Sequence, residues 1–225
     1  MSNIGIMGGT FDPIHNGHLM IGRQAYEEYG LDQIWYMPSG RPPHKTDHKV
    51  TDINDRCEMT KLAIRPYPYF AFSDFEVRLG GNSYTARTLE LLKKGHRHDT
   101  FFFIIGADSL YQIETWYHPE LVMKQTTLLV AGREYADSHL TIDEQIQYLT
   151  AVYDARILRL HCAEMDISSA QLRAMVREGR EVSCYLPPEV DSYIKIHSLY
   201  SAVSKAEGEV EDGQPYTCHT RKIKR

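Results

Sequence analysis

Short apolar runs recur along the chain: NIGIM (Asn3–Met7), QIWYM (Gln33–Met37), YFAFSDFEV (Tyr69–Val77), TFFFII (Thr100–Ile105), TLLVA (Thr127–Ala131) and RILRL (Arg156–Leu160). Their length and their β-branched and aromatic content predict strands. Between them lie stretches with helical spacing of apolar residues, including NDRCEMTKLAI (Asn54–Ile64), TARTLELLKKG (Thr85–Gly95) and IDEQIQYLTAVYD (Ile142–Asp154). A further helix is predicted from Leu19, with Leu19, Gly22, Tyr26 and Tyr29 roughly on one face and Gly30 as its C-cap. Alternating β and α segments of this size predict a mainly parallel, doubly wound sheet covered by helices on both faces. In such α/β folds ligands bind at the carboxyl ends of the strands, near the point where strand order reverses.

The end of the chain reads differently. SSAQLRAMVREGR (Ser168–Arg180) is a helix capped by Ser168 or Ser169, and CYLPPEVDSYIKIHSLY carries one short helix begun at Pro187 or Pro188. These make a small C-terminal helical part over about 165–200 of a single domain spanning 1–200. From Ser201 onward apolar periodicity is weak and an acidic patch gives way to a basic one, so 201–225 is expected to be a flexible tail.

The first strand runs into GGTFDPIHNGH (Gly8–His18), which then opens a helix. A helix N-terminus offers unpaired N–H groups and partial positive charge, and the turn's glycines let the backbone approach a bound anion. Gly8 and Gly9 would give that approach, Thr10 could donate its hydroxyl, and His15 and His18 could donate ring N–H groups to phosphate oxygens. The pattern is neither GxGxxG nor GxxxxGK[ST]. Taken singly, the same residues suit an ordinary turn, and the His-x-x-His pair also suits zinc with a distant third ligand.

Length and composition leave this picture standing. A chain of 225 residues can bury a substantial core, and 42% hydrophobic with 24% charged residues is ordinary for a globular protein. A formal net charge of −5 argues against a general nucleic-acid binder. No apolar run approaches the roughly 20 residues that span a bilayer, and the N-terminus shows no signal pattern, so a cytoplasmic protein without a membrane partner is expected. The four cysteines, Cys57, Cys162, Cys184 and Cys218, lack CxxC spacing and read as reduced structural thiols.

Three further segments sit where ligands would. PSGRPPHK (Pro38–Lys45) follows the second strand with Arg41, His44 and Lys45 as anion contacts or as a solvated loop. GADSL (Gly106–Leu110) follows TFFFII, and its Asp108 could accept from ribose hydroxyls, or Asp108 or Ser109 could cap the next helix. Trp116 and Tyr117 in ETWYHP could stack on a flat ring or pack in the core. Ser168 and Ser169 at a helix start, with Arg173 about one turn on, form a second anion site.

The ordered set GGTFDPIHNGH, PSGRPPHK, NSYTARTL, IIGADSL, ETWY and ISSAQLR closely resembles the bacterial nicotinate mononucleotide adenylyltransferases, an ATP-using family with a Rossmann-like fold. The likeness runs from about Ile4 to Tyr200. It implies adenylyl transfer from ATP to nicotinate mononucleotide, with magnesium as cofactor, a step of NAD biosynthesis. By matching position it assigns His15, His18, Ser168, Ser169 and Arg173 to the ATP phosphates, and gives His15, His18 and Arg173 catalytic roles. Gly8, Gly9 and Thr10 would shape the loop beneath the phosphates, and Gly106 and Asp108 would seat the adenosine ribose region. His44 and Lys45 would meet the phosphate of the mononucleotide, while Thr85, Trp116 and Tyr117 would hold its ring and carboxylate. Family members commonly have ISST where this chain has ISSA, so Ala170 lacks a hydroxyl and weaker triphosphate contact is expected. The resemblance fixes no oligomeric state and leaves a homo-oligomer open. A related transferase using phosphopantetheine and a catalytically silent nucleotide sensor are the competing readings.

Overall fold

The computed structural model describes residues 1–42, 50–132, 140–162 and 167–201. Strand β1 (Asn3–Gly9) leads through the Gly9–His15 turn into α1 (Asn16–Tyr29), which ends on Gly30 in the left-handed region at φ 58°. There follow β2 (Gln33–Pro38), α2 (Ile53–Ile64), β3 (Phe70–Phe72), α3 (Phe75–Leu79) and α4 (Thr85–Gly95). The second half runs β4 (Thr100–Gly106), α5 (Ala107–Gln112), a 3-10 turn, α6 (Pro119–Gln125), β5 (Thr127–Ala131), α7 (Ile142–Tyr153) and β6 (Arg156–Arg159). The helices α8 (Ser169–Arg177) and α9 (Pro188–Ile196) close the described chain.

The six strands form one sheet in the order β3-β2-β1-β4-β5-β6, every neighbouring pair parallel. This is the doubly wound order, and it reverses between β1 and β4, where Asn3 to Met7 pair with Thr100 to Ile104. Helices cover both faces, so the central strands are apolar on both sides. Along β1 the period of two shows in the packing: Ile4 and Ile6 join the cluster with Leu89, Leu110 and Val122, whereas Met7 joins the opposite one with Ile14, Leu19 and Leu172.

Three local differences from the sequence reading stand out. YFAFSDFEV is not one strand: pairing ends when the Ser73 N–H donates to the Tyr36 carbonyl at 2.9 Å. Ser73 Oγ then accepts from the Phe75 N–H at 3.4 Å, a serine turn that opens α3. The first helix begins at Asn16 rather than Leu19, with His15 as its N-cap. α6 was not expected; Pro119 stands at its start, where proline is pre-shaped for a helix. The predicted tail, apart from Ser201, lies outside the described residues, as do His44 and Lys45. No disulfide joins the described cysteines, Cys57, Cys162 and Cys184, to one another, and no described helix is long and apolar enough to cross a membrane.

Candidate active site

A cleft of about 680 Å³ opens at the carboxyl ends of β1 and β4, at the point of strand-order reversal. Its walls come from sequence segments far apart. The glycines of the first turn are there for space: a Cβ on Gly9 would lie 2.9 Å from the Phe11 ring, closer than real side chains tolerate. Phe11 itself is buried, with φ at 49°, and the Asp12–Pro13 peptide is cis.

α1 aims its N-terminus at the cleft, and its first turn is built from the two histidines. The main-chain N–H of His15 donates to Nδ1 of His18 at 3.2 Å. Accepting at Nδ1 leaves the ring proton of neutral His18 on Nε2, so the imidazole offers an N–H donor at its far edge. His15 Nδ1 is buried and has no hydrogen-bond partner among the described residues. Burial holds the His15 imidazolium down to a pKa of about 4, and burial followed by the nearness of His15 holds His18 well below the usual 6.5. Both rings are therefore neutral at pH 7.

α8 reaches across to the same turn. Its N-cap Ser168 closes a capping box with Gln171, accepting from the Gln171 N–H at 3.2 Å. Ser169 Oγ donates to the Pro13 carbonyl at 2.9 Å, and Arg173 Nη1 donates to the Asp12 carbonyl at 2.7 Å. Thus two of the residues expected at phosphates also lock α8 onto the first turn. Ala170, the second residue of α8, lines the cleft beside them.

Of the expected residues that are described, Gly8, Gly9, Thr10, His15, His18 and Thr85 line this cleft. So do Gly106, Asp108, Trp116, Ser168, Ser169 and Arg173. Asp108 does not cap α5: the cap is Gly106, and Asp108 falls in the first turn. Trp116 is half-buried and edge-on to Phe103, with centroids 6.4 Å apart. Tyr117 differs: the residue is 52% exposed and outside the lining, and its ring packs on Tyr84 at 4.5 Å. Among the described residues no group of three or more His, Cys, Asp or Glu is arranged to hold a metal ion.

Sequence reasoning missed the layer beneath the cleft. Arg56 is 2% exposed, and its Nη1 donates to the Thr10 carbonyl at 2.7 Å and the Ser39 carbonyl at 3.0 Å, while Nε reaches Thr51 O at 3.0 Å. Burial lowers its pKa and the charge of Asp12 opposes that shift. Asp12, itself buried, takes the Tyr200 hydroxyl on Oδ1 at 2.7 Å and the Thr51 N–H on Oδ2 at 3.3 Å. One signal existed in the sequence: Arg56 stands on the apolar face of its helix, with Met59, Thr60 and Ala63 following at i+3, i+4 and i+7.

Comparison with known proteins gives a consistent picture. The profile of the cytidylyltransferase-like family matches residues 6–175. A protein of Lachnoclostridium phytofermentans, named "Probable nicotinate-nucleotide adenylyltransferase", is 42% identical over 200 residues, covering 89% of this chain and 100% of that protein. One of the same name from Bacillus pumilus is 36% identical over 202 residues, covering 90% and 100%. Among solved structures, the Plasmodium falciparum nicotinic acid mononucleotide adenylyltransferase complexed with NaAD superposes with a TM-score of 0.73 at 22% identity. The match covers 89% of this chain and 98% of that one, a likeness of fold.

Proposed function

Since the chain belongs to the nicotinate-nucleotide adenylyltransferases, a cytidylyltransferase-like family, we propose that it transfers the adenylyl group of ATP to nicotinate mononucleotide at the β1/β4 cleft. A phosphate oxygen of the mononucleotide attacks the α-phosphorus of ATP, the bond to the β-phosphate bridging oxygen breaks, and pyrophosphate leaves with the electron pair. The products are nicotinate adenine dinucleotide and pyrophosphate. A phosphate monoester is largely dianionic at pH 7, its second pKa being about 6, so the nucleophile needs no strong base. Catalysis then rests on positioning two polyanions and offsetting their repulsion.

In this reading neutral His15 and His18 donate to oxygens on which charge grows, with the N-terminus of α1 adding its N–H groups. Arg173 and the first turn of α8 hold the outer phosphates. Gly106 and Asp108 meet the adenosine ribose, and Thr85 and Trp116 hold the nicotinate end. Magnesium would arrive on the ATP phosphates and neutralise part of their charge; among the described residues no group of three or more His, Cys, Asp or Glu offers it a cage.

The observation that carries this reading is that motif residues scattered from Gly8 to Arg173 line a single cleft at the switch point. The test is pyrophosphate release with ATP and magnesium, comparing nicotinate mononucleotide, nicotinamide mononucleotide and phosphopantetheine at equal concentration. Release chiefly with the nicotinate form is expected. Preference for phosphopantetheine, or ATP binding without release, would overturn the reading.

A further inference from the structure

Among the described residues three carboxylates line the cleft, Asp12, Glu76 and Asp108. Asp108 stands in the first turn of α5, and Glu76, in α3, accepts from Thr88 Oγ1 at 2.8 Å. Asp12 is set in the turn that carries His15, where a loose negative charge would repel a phosphate. It is only 2% exposed, and a buried carboxylate needs donors. Both of its oxygens have one: Oδ1 accepts from the Tyr200 hydroxyl at 2.7 Å and Oδ2 from the Thr51 N–H at 3.3 Å. The tyrosine bond is the shorter. Burial, and then the charge of Asp12, push the phenol pKa well up, so the hydroxyl keeps the proton it donates.

The end of the described chain is shaped to deliver that hydroxyl. At the end of α9 the Leu199 N–H donates to the Ile194 carbonyl at 3.0 Å and the Ser198 N–H to the Lys195 carbonyl at 3.2 Å, the paired bonds of a Schellman motif. Ser198 takes the left-handed conformation at φ 51°, where glycine is usual, and Tyr200 takes it again at φ 64°. Both conformations cost energy in residues with side chains, and together they turn Tyr200 back onto the first turn. α9 is itself braced on α2, since the Tyr193 hydroxyl donates to Asp55 Oδ1 at 2.9 Å. The two donors to Asp12, Thr51 just before α2 and Tyr200 just after α9, thus stand on one braced pair of helices. Tyr200 does not line the cleft.

We propose that Tyr200 is a positioning residue for ATP: its hydroxyl holds the Asp12 carboxylate away from the phosphates and steadies the turn that carries His15. The proposal rests on the adenylyltransferase reading for the identity of that ligand. Without the hydroxyl, Oδ1 loses its protein donor and turns to the water of the cleft, which sets negative charge beside the phosphates. The cost therefore falls on ATP rather than on the mononucleotide, and it vanishes when the side chain at position 12 carries no charge.

The experiment compares four full-length chains, wild type, Tyr200→Phe, Asp12→Asn and the double variant, by ATP Kd from calorimetry and by KM for both substrates. Tyr200→Phe keeps the ring, which packs on the core beside Leu199, and removes only the donor. The expected result is a rise of about tenfold in ATP Kd and ATP KM, with the KM for nicotinate mononucleotide within about twofold of wild type. In the Asp12→Asn background the same Tyr200→Phe step should change ATP Kd by less than about twofold. Each ratio is taken within one background, so whatever Asp12→Asn does by itself drops out. Unchanged ATP Kd in Tyr200→Phe, equal rises in both KM values, or the same tenfold step in both backgrounds would overturn the proposal; the last two are what a purely structural bond would give. If Asp12→Asn does not fold, the ATP Kd of Tyr200→Phe and its split between the substrates decide. A wild type that binds ATP but releases no pyrophosphate with nicotinate mononucleotide would sink the substrate assignment, and the ATP Kd values would still decide on Tyr200. A wild type that binds no ATP would sink the reading before any variant is made, and the proposal with it.

Discussion

The imidazoles of His15 and His18 lie face to face, ring centroids 3.8 Å apart and planes tilted by 36°. Two cations could not occupy that geometry without strong repulsion, and the fold keeps both rings uncharged. In the proposed reaction the pair would meet its anionic ligand as neutral donors that gain basicity when phosphate charge arrives.

Stability should report this directly. The folded pKa of His15, about 4, lies below the unfolded value near 6.5, so the unfolded chain binds more protons between those limits. Stability rises with pH across that window and is lost as pH falls below about 6.5, by on the order of 3 kcal/mol at pH 4 from His15. Urea melts at pH 7, 5.5 and 4.5 should show a gentler decline for His15→Asn than for wild type. Parallel declines would refute the assignment.

ATP binding should take up protons at mildly acid pH, because a polyanion beside the rings raises their pKa values. Calorimetry at pH 5.5 in two buffers of different ionisation enthalpy measures this. Buffer-independent heats would count against phosphate contact by either histidine.

His18→Ala should lower kcat for pyrophosphate release by roughly 10²–10³, the usual loss for one transition-state donor, while the protein stays folded. Wild-type turnover in that variant would remove His18 from the chemistry.

Two glycine variants separate packing from binding. A Cβ on Gly22 would run into the Tyr36 hydroxyl, which donates to the His18 carbonyl at 3.0 Å. Gly22→Ala should therefore cost about 1–3 kcal/mol and lower the melting temperature by several degrees. A Cβ on Gly106 meets nothing nearer than Ala131 O at 4.0 Å, so Gly106→Ala should cost only the exchange of a helix N-cap, under about 1 kcal/mol. Its effect should be a raised ATP KM, by about tenfold if the ribose region sits there. An unchanged KM would move the ribose elsewhere in the cleft.

Ala170→Thr would add a hydroxyl in the first turn of α8, facing the cleft. ATP KM should fall by about threefold or more, the scale of one added hydrogen bond. No improvement would mean that the helix N–H groups and Arg173 already suffice.

Much of this site was legible because its residues stand at strand ends and helix starts, where glycine, proline and capping side chains mark the boundaries. The six strands and the turn that carries His15 and His18 could be read in that way. Tyr69–Val77 misled because its apolar spacing outweighed the single Ser73–Asp74 turn, and with α3 unrecognised Glu76 had no place at the cleft. Arg56 escaped for a different reason. Its partners are main-chain carbonyls at Thr10 and Ser39, 46 and 17 residues away, and carbonyl groups leave no trace in side-chain patterns. Tyr117 shows the reverse case, where sequence adjacency to Trp116 suggested a shared role but the two rings face different surroundings.

The hydrogen bond from Tyr200 to Asp12 joins positions 188 residues apart. On a chain made from its N-terminus, the turn that holds Asp12 emerges long before the tyrosine that bonds it. At about 5–20 residues per second that interval is roughly 10–40 s. During it β1 also waits for β4, its neighbour at the centre of the sheet. The Asp12 carboxylate thus goes without the Tyr200 hydroxyl until 188 further residues have been added.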